Sequence, residues 1–308
     1  MIQIFKNSIA SFVPMRLIIN NFNPVLLYHS LGSNSKFGDN IDHVNLEILF
    51  SQLNIIKKYW KFVSIDEYAE VTNKKGLASI TIDDGYKNVI DESLEIFKNL
   101  NIPITIFINS STFEGKIFWR DKVRYLIDNN LVKKYIDNSN LFKKIDINKF
   151  YSISKDPKYN SKEVEKDIDH FILKEKLRLD INNKYCFDNK QYLIKNDLVN
   201  YGNHTANHYL LSSLSKEEQY EEIIKCKKFL DGQDINQSKI FCIPFGGMNS
   251  FNKDTLSNLN DLNYETILKS TNDLDSVAYS KQINRFMPKT FNIKNTLKRL
   301  YLKKMIRG

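Results

Sequence analysis

The chain has 308 residues, a mass of 36.2 kDa, 42% hydrophobic and 12% aromatic side chains and 26% charged ones, which excludes wholesale disorder and gives ample material for a core. No stretch approaches the roughly 18 to 20 uninterrupted apolar residues of a bilayer-crossing helix, and Cys186, Cys226 and Cys242 stand far apart with no Cys-x-x-Cys pair, which speaks against a disulfide framework or thiolate zinc knuckle and for a reducing compartment. The 45 basic against 36 acidic side chains give +9, but most lysines sit beside acids, as in Lys216-Glu217-Glu218, so the charge reads as solvated helical faces and weighs against a nucleic-acid partner.

Residues 1–22 mix Lys6 and Arg16 with apolar side chains, and Asn7, Ser8, Ser11 and Pro14 interrupt the run. A secretory signal needs a continuous apolar region and a small-residue cleavage site. The segment is therefore expected to be an amphipathic lead-in, with an uncleaved interfacial anchor as the alternative, and cytoplasmic residence follows as an expectation. Pro24 to His29 is a short apolar strand of the kind buried on both faces of a parallel sheet. Leu46, Leu49, Phe50, Leu53 and Ile56 then recur at helical spacing. Ser79 to Ile82 and Pro103 to Ile108 are further strands, with Ile90, Leu94, Phe97 and Leu100 on a helical stripe between them.

The segment 115–196 does not alternate. Helix-like runs at Lys122 to Ile136 and Lys162 to Leu177 make it an inserted, mostly helical subdomain beside the mouth of the fold, with Trp119 and Arg120 as candidates to shape a pocket. Alternation resumes with Leu198 to Tyr201, a helix from Lys216 to Leu230 started by the capping box Ser215/Glu218, then strands at Lys239 to Ile243, Tyr264 to Leu268 and Gln282 to Phe286. Repeated strand, helix, strand implies right-handed crossovers and a parallel sheet, and about seven strands favour a closed or nearly closed α/β barrel occupying 23–288. Residues 289–308 form a basic amphipathic tail whose apolar side packs on the core or whose basic side meets anionic lipid.

In such barrels chemistry sits at the C-terminal strand ends. Asp83-Asp84-Gly85 ends the second strand, and two carboxylates there are costly unless a cation or proton shares them. An Asp-Asp-Gly turn that merely caps a helix is the plain alternative. His204 and His208 follow another strand, and on a helical turn residues four apart face the same way. Asp84, His204 and His208 together make a two-His, one-carboxylate site for a divalent metal, Zn2+ by default and Co2+ or Ni2+ as alternatives. The Pro244-Phe245-Gly246-Gly247 exit presents a backbone N–H as a candidate oxyanion donor, and His29 ends the first strand, where a satisfied core histidine is an equal reading.

These segments, in this order, resemble the polysaccharide deacetylases with the NodB homology domain, carbohydrate esterase family 4, over about 24–286 apart from the insertion. The resemblance implies a distorted (β/α)7 barrel. It implies Asp83 as general base, Asp84, His204 and His208 as metal ligands, and the Phe245 N–H as oxyanion donor. The early Tyr28-His29 segment is similar to the circularly permuted branch typified by poly-N-acetylglucosamine deacetylases, which implies His29 as general acid. The chain departs from the pattern at Cys242, where many members carry an arginine that orients the base; Arg285, at the end of the last strand, is the candidate replacement.

The implied activity is metal-dependent removal of an N-acetyl group from an amino sugar in surface polysaccharide or its lipid- or nucleotide-linked precursor. The implied partner is an N-acetylated glycan or glycolipid, and the basic tail offers a peripheral membrane contact. A catalytically silent glycan-binding barrel, and a deformylase or O-deacetylase using the same groups, are the alternatives.

Overall fold

The computed structural model describes residues 13–33, 42–179, 185–270, 281–288 and 291–307. Most of the expected N-terminal lead-in, and residues 289, 290 and 308 of the tail, lie outside them. Seven strands follow one another around a parallel sheet: β1 (Val25–Tyr28), β2 (Leu77–Ile82), β3 (Ile104–Ile108), β4 (Val199–Asn203), β5 (Gln237–Cys242), β6 (Thr266–Lys269) and β7 (Lys281–Asn284). Each pairs in parallel with the next. Lys61–Phe62 adds a two-residue strand against the start of β2.

Just past β7, Phe286 bridges Leu26 of β1: the Leu27 N–H donates to the Phe286 carbonyl at 2.9 Å and the Phe286 N–H to that of Val25 at 3.1 Å. The ring thus closes as a (β/α)7 barrel. Every residue of β1 and β3 is buried, which is why these strands are continuously apolar instead of alternating.

The flanking helices, in chain order, are α1 (Met15–Asn21), α2 (Leu46–Lys57), α3 (Ile65–Glu70), α4 (Leu94–Leu100), α5 (Trp119–Asp128), α6 (Val132–Asn138), α7 (Phe150–Ile153), α8 (Ser161–Lys174), α9 (Lys216–Asp231), α10 (Lys253–Asp261) and α11 (Ile293–Arg307). In α2 the buried stripe is Leu49, Leu53 and Ile56, while Phe50, about 100° round the helix from Leu49, is 51% exposed and not part of it. The α9 capping box is formed as the sequence predicts, Ser215 accepting from the Glu218 N–H and Glu218 from the Ser215 N–H. The helical run expected from Lys122 to Ile136 is two helices, because the chain turns at Asn129-Asn130, with Asn130 in the left-handed region at φ 56°, a conformation asparagine tolerates well.

The helix expected to reach Leu177 ends at Lys174; its start is set by Asn160, whose side chain accepts from the N–H groups of Lys162 and Glu163. The basic tail helix α11 buries Ile293, Leu297 and Tyr301, spaced by four, against the core. No described helix is long and apolar enough to cross a membrane.

Candidate active site

His29, Asp83, His204, Cys242 and Arg285 all lie at or just beyond C-terminal strand ends, so the barrel brings to one place residues up to 256 positions apart in the chain, from His29 to Arg285. Directly after β2, Asp84 (φ 70°) and Gly85 (φ 63°) both take the left-handed conformation. That turn breaks the alternation of the strand and lets two consecutive carboxylates reach the same cavity.

Asp83 is held by a fork-on-fork pair: Arg285 Nη1 donates to Oδ1 at 2.7 Å and Nη2 to Oδ2 at 2.8 Å. The same guanidinium donates to Thr81 Oγ1 at 3.1 Å and to Cys242 Sγ at 3.1 Å. Cys242 itself lies 3.4 Å from Asp83 Oδ1, so the small thiol leaves room for an arginine arriving from the end of β7. Burial works to raise the Asp83 pKa, but the Arg285 charge, aided by His204, outweighs it and holds the carboxyl at about 2.

His204 and His208 do come together, their rings 4.7 Å apart, but not on a helical turn. The chain leaves β4 through left-handed Thr205 (φ 67°) and reaches His208, also left-handed (φ 58°). Polar contacts hold this bend. Thr205 Oγ1 accepts from the His208 N–H, Asn203 Oδ1 from the Thr205 N–H, and the Asn109 amide donates to the His204 carbonyl. From α9, Glu222 accepts from both the backbone and the side chain of Asn207. Sequence periodicity cannot show this, because local side-chain bonds compete successfully with the helix.

Asp84 Oδ1 lies 3.6 Å from His204 Nε2 and 3.3 Å from His208 Nε2, and the candidate ligand atoms of the three residues all fall within 4.8 Å of one another. Asp84 Oδ1 is nonetheless buried with no hydrogen-bond partner. His204 Nδ1 lies 2.9 Å from the Cys242 carbonyl, which can only accept, so that nitrogen carries the proton and Nε2 turns its lone pair to the cavity. Burial, then the neighbouring Asp83, pushes Asp84 up to about 8, while burial lowers His204 to about 4 and His208 well below its ordinary value. Two neutral imidazoles and an orphaned carboxylate oxygen fit a divalent cation. A second grouping, Asp83, His204 and Cys242, is as compact, but Asp83 and Cys242 are already engaged by Arg285.

The cavity, of about 140 Å³, is also lined by His29 and Phe245. His29 Nδ1 is buried without a partner; burial lowers its pKa against the opposing pull of Asp83 and Asp42, so the ring is neutral at rest. Phe245 (φ 62°) packs its ring on His208 at 4.5 Å between centroids. Its left-handed backbone is followed by Gly246 (φ 64°), where an added Cβ would lie 2.4 Å from the Ser270 nitrogen.

Sequence reasoning missed the contribution of the insertion beyond Trp119 and Arg120: Arg124, Tyr151 and Lys155 also line the cavity, and Trp119 Nε1 donates to the His208 carbonyl at 3.0 Å. The available signal was Arg120 and Arg124 at i, i+4 directly after a tryptophan, a spacing that sets both on one side of the helix.

Residues 188–267, which run from before β4 to the start of β6 and include the two histidines, match the polysaccharide deacetylase family model. No curated protein matches the sequence significantly. Among solved structures the fold is similar to that of the Streptococcus pyogenes deacetylase PplD in complex with acetate (TM-score 0.52, 17% identity, 90% of this chain and 97% of that one). It is likewise similar to IcaB from Ammonifex degensii (TM-score 0.52, 13% identity, 90% and 96%) and to a polysaccharide deacetylase from Bacillus cereus (TM-score 0.50, 12% identity, 90% and 68%). The fold is a (β/α)7 barrel similar to those of these structures. The chain is thus similar to polysaccharide deacetylases in sequence from β4 to the start of β6 and in fold over about nine-tenths of its length.

Proposed function

We propose that the chain is a metal-dependent hydrolase that removes an N-acetyl group from an amino sugar of a surface polysaccharide or of its lipid- or nucleotide-linked precursor. The observation that carries this reading is the convergence of Asp84 Oδ1 and the Nε2 atoms of His204 and His208 beside a second carboxylate, Asp83, clamped by Arg285. A divalent ion held by these three, zinc by the donor set, would supply polarisation of the acyl carbonyl and acidification of a water.

The remaining steps belong to the chain's own groups. Asp83, ionised at any pH well above about 2 and fixed in orientation by the Arg285 fork, accepts the proton of the attacking water. The clamp also makes it a weak base, so a proton accepted there is readily given up again. Phe245 lines the cavity, and its N–H is the group that would donate to the acyl oxygen as negative charge develops on it. His29, neutral at rest, takes up a proton and delivers it to the departing nitrogen as the C–N bond breaks, leaving acetate and a free amino sugar.

The test is metal analysis of the purified protein joined to acetate release from a panel of N-acetylated sugars. About one ion per chain is expected, and Asp84→Asn and His204→Ala should each lose the ion and at least about a hundredfold in turnover. Undiminished release by metal-stripped protein, or by either variant, defeats the proposal.

A further inference from the structure

We infer that the sugar taken by this site carries a negatively charged group, a phosphate or a carboxylate, held beside the acylated nitrogen by Arg120 and Lys155 of the insertion; this rests on the deacylation reading above. Arg120 is only 1% exposed, yet all its hydrogen-bond partners are neutral. Nη1 donates to Ser154 Oγ at 2.9 Å and Nη2 to the Tyr151 carbonyl at 3.0 Å, while the buried Nε has no acceptor.

Among the described residues no carboxylate lies at ion-pair distance from it. The other cavity arginine, Arg124, and Arg285 behind Asp83 differ: Arg124 is paired with Asp121 at 2.6 Å and Arg285 with Asp83 at 2.7 Å. The faces of the Arg120 guanidinium lie against Trp119 and Tyr151, at 4.6 and 4.5 Å from the ring centroids, with Phe245 at 5.6 Å. Stacking fixes the plane of the fork and leaves the Nε edge to recognise a planar or tetrahedral anion.

Lys155 is the second cation. Its Nζ lies 5.0 Å from the Tyr151 centroid and 5.5 Å from that of Phe245, again without an ion pair among the described residues. Both side chains line the cavity that holds Asp84, His204 and His208. Asp42 also faces it and acts on Lys155 and His29, and Asp121 is taken up by Arg124. Burial draws the Arg120 pKa down only to about 10, so it stays charged at neutral pH.

A role limited to bracing α5 against α7 would account for the two Nη contacts. It leaves the Nε edge unpaired and does not explain Lys155. A buried cation is costly unless a counter-charge arrives, and a substrate anion supplies one. Lys155, Phe245 and Ser270 also border an adjoining cleft of about 530 Å³, which gives the rest of the substrate a way out past the anion site.

The experiment uses the full-length, zinc-loaded protein and three N-acetylated sugars: methyl N-acetylglucosaminide, N-acetylglucosamine 1-phosphate and an N-acetylhexosaminuronate. One charged sugar should have a kcat/KM about 10- to 100-fold above the neutral one, and which of the two does so identifies phosphate or carboxylate. Lys155→Gln should remove about tenfold or more of that preference, through KM. Arg120→Gln should do the same where thermal melting shows it folded; Lys155→Gln decides alone where it does not.

Hydrolysis of charged and neutral sugars with equal kcat/KM, or a preference that survives Lys155→Gln, overturns the inference and leaves deacylation standing. If none of the sugars releases acetate, calorimetry decides. A charged sugar that binds the wild type about tenfold more tightly than Lys155→Gln keeps the anion site while the deacylation reading falls. Equal binding of charged and neutral sugars overturns the anion site as well.

Discussion

At the scale of single residues the site turns on two buried carboxylates in adjacent positions that are driven in opposite directions. Asp83 and Arg285 are paired at 4% and 1% side-chain exposure, so truncating the arginine strands a carboxylate that water cannot reach. Arg285→Ala should cost about 3 to 5 kcal/mol of stability, read from the denaturation midpoint. Arg285→Lys keeps the charge but not the fork, and should retain most of the stability while losing about tenfold or more in acetate release. That the usual arginine was missing at Cys242 was legible in the sequence, and the strand pattern placed Arg285 at a strand end. The contact itself joins residues 202 positions apart, and no local pattern reports such a pairing.

Asp84 is the opposite case. With its pKa raised from 3.8 to about 8, the metal-free fold holds one more proton there than the unfolded chain between about pH 4 and 8. His204, lowered to about 4, and the likewise lowered His208 and His29 act the other way below about pH 6.5, so the stability of the metal-free protein should fall with rising pH only between about pH 6.5 and 8. Asp83, lowered to about 2, acts the other way, but only below about pH 4. A cation must displace the Asp84 proton and meets almost no competition at His204 or His208. Zinc affinity should thus rise about tenfold per pH unit up to about pH 8 and then level, with release of about one proton at pH 7, measurable by calorimetry in buffers of different ionisation enthalpy. Uptake without proton release would show that the carboxylate is not displaced from its protonated form.

At the scale of elements the strands were the most legible part, because a strand buried on both faces shows as an unbroken apolar run and all seven declare themselves that way or by position. What sequence could not give is how β4 ends. Gly202 lies so close to β3 that an added Cβ would be 2.3 Å from the Phe107 ring, and two residues later the chain delivers His204. Gly202→Ala should push β4 off β3, costing about 1 to 3 kcal/mol and weakening zinc binding together with stability. A fall in melting temperature with unchanged zinc affinity would show that the strand end absorbs the shift before it reaches His204. The bend from Thr205 to His208 was misread as a helical turn for a related reason: a spacing of four carries no information about the Asn203, Thr205 and Glu222 bonds that hold it in another form.

At the scale of the whole molecule the insertion and the barrel share one hydrophobic core, which passes without a break from Ile106 and Tyr201 of the barrel through Phe118 and Trp119 to Tyr135, Phe142 and Phe150. Within the insertion Tyr135 meets Phe142, Phe150 and Phe171 at centroid distances of 6.0, 5.5 and 5.3 Å, a cluster contributed by three helices and a loop. Because this cluster continues the barrel core, the chain should unfold in one calorimetric transition, with the insertion and barrel melting together. Phe150→Ala removes a fully buried ring and should cost about 3 to 5 kcal/mol. The loss also reaches the cavity, since the next residue, Tyr151, both accepts from Arg120 through its carbonyl and stacks on it. The variant, assayed below its melting range, should therefore show a raised KM for the charged sugar at nearly unchanged metal content. Two separate transitions, or a Phe150→Ala protein whose KM is untouched, would mean that the insertion is a body of its own and that the sugar pocket is set by the barrel alone.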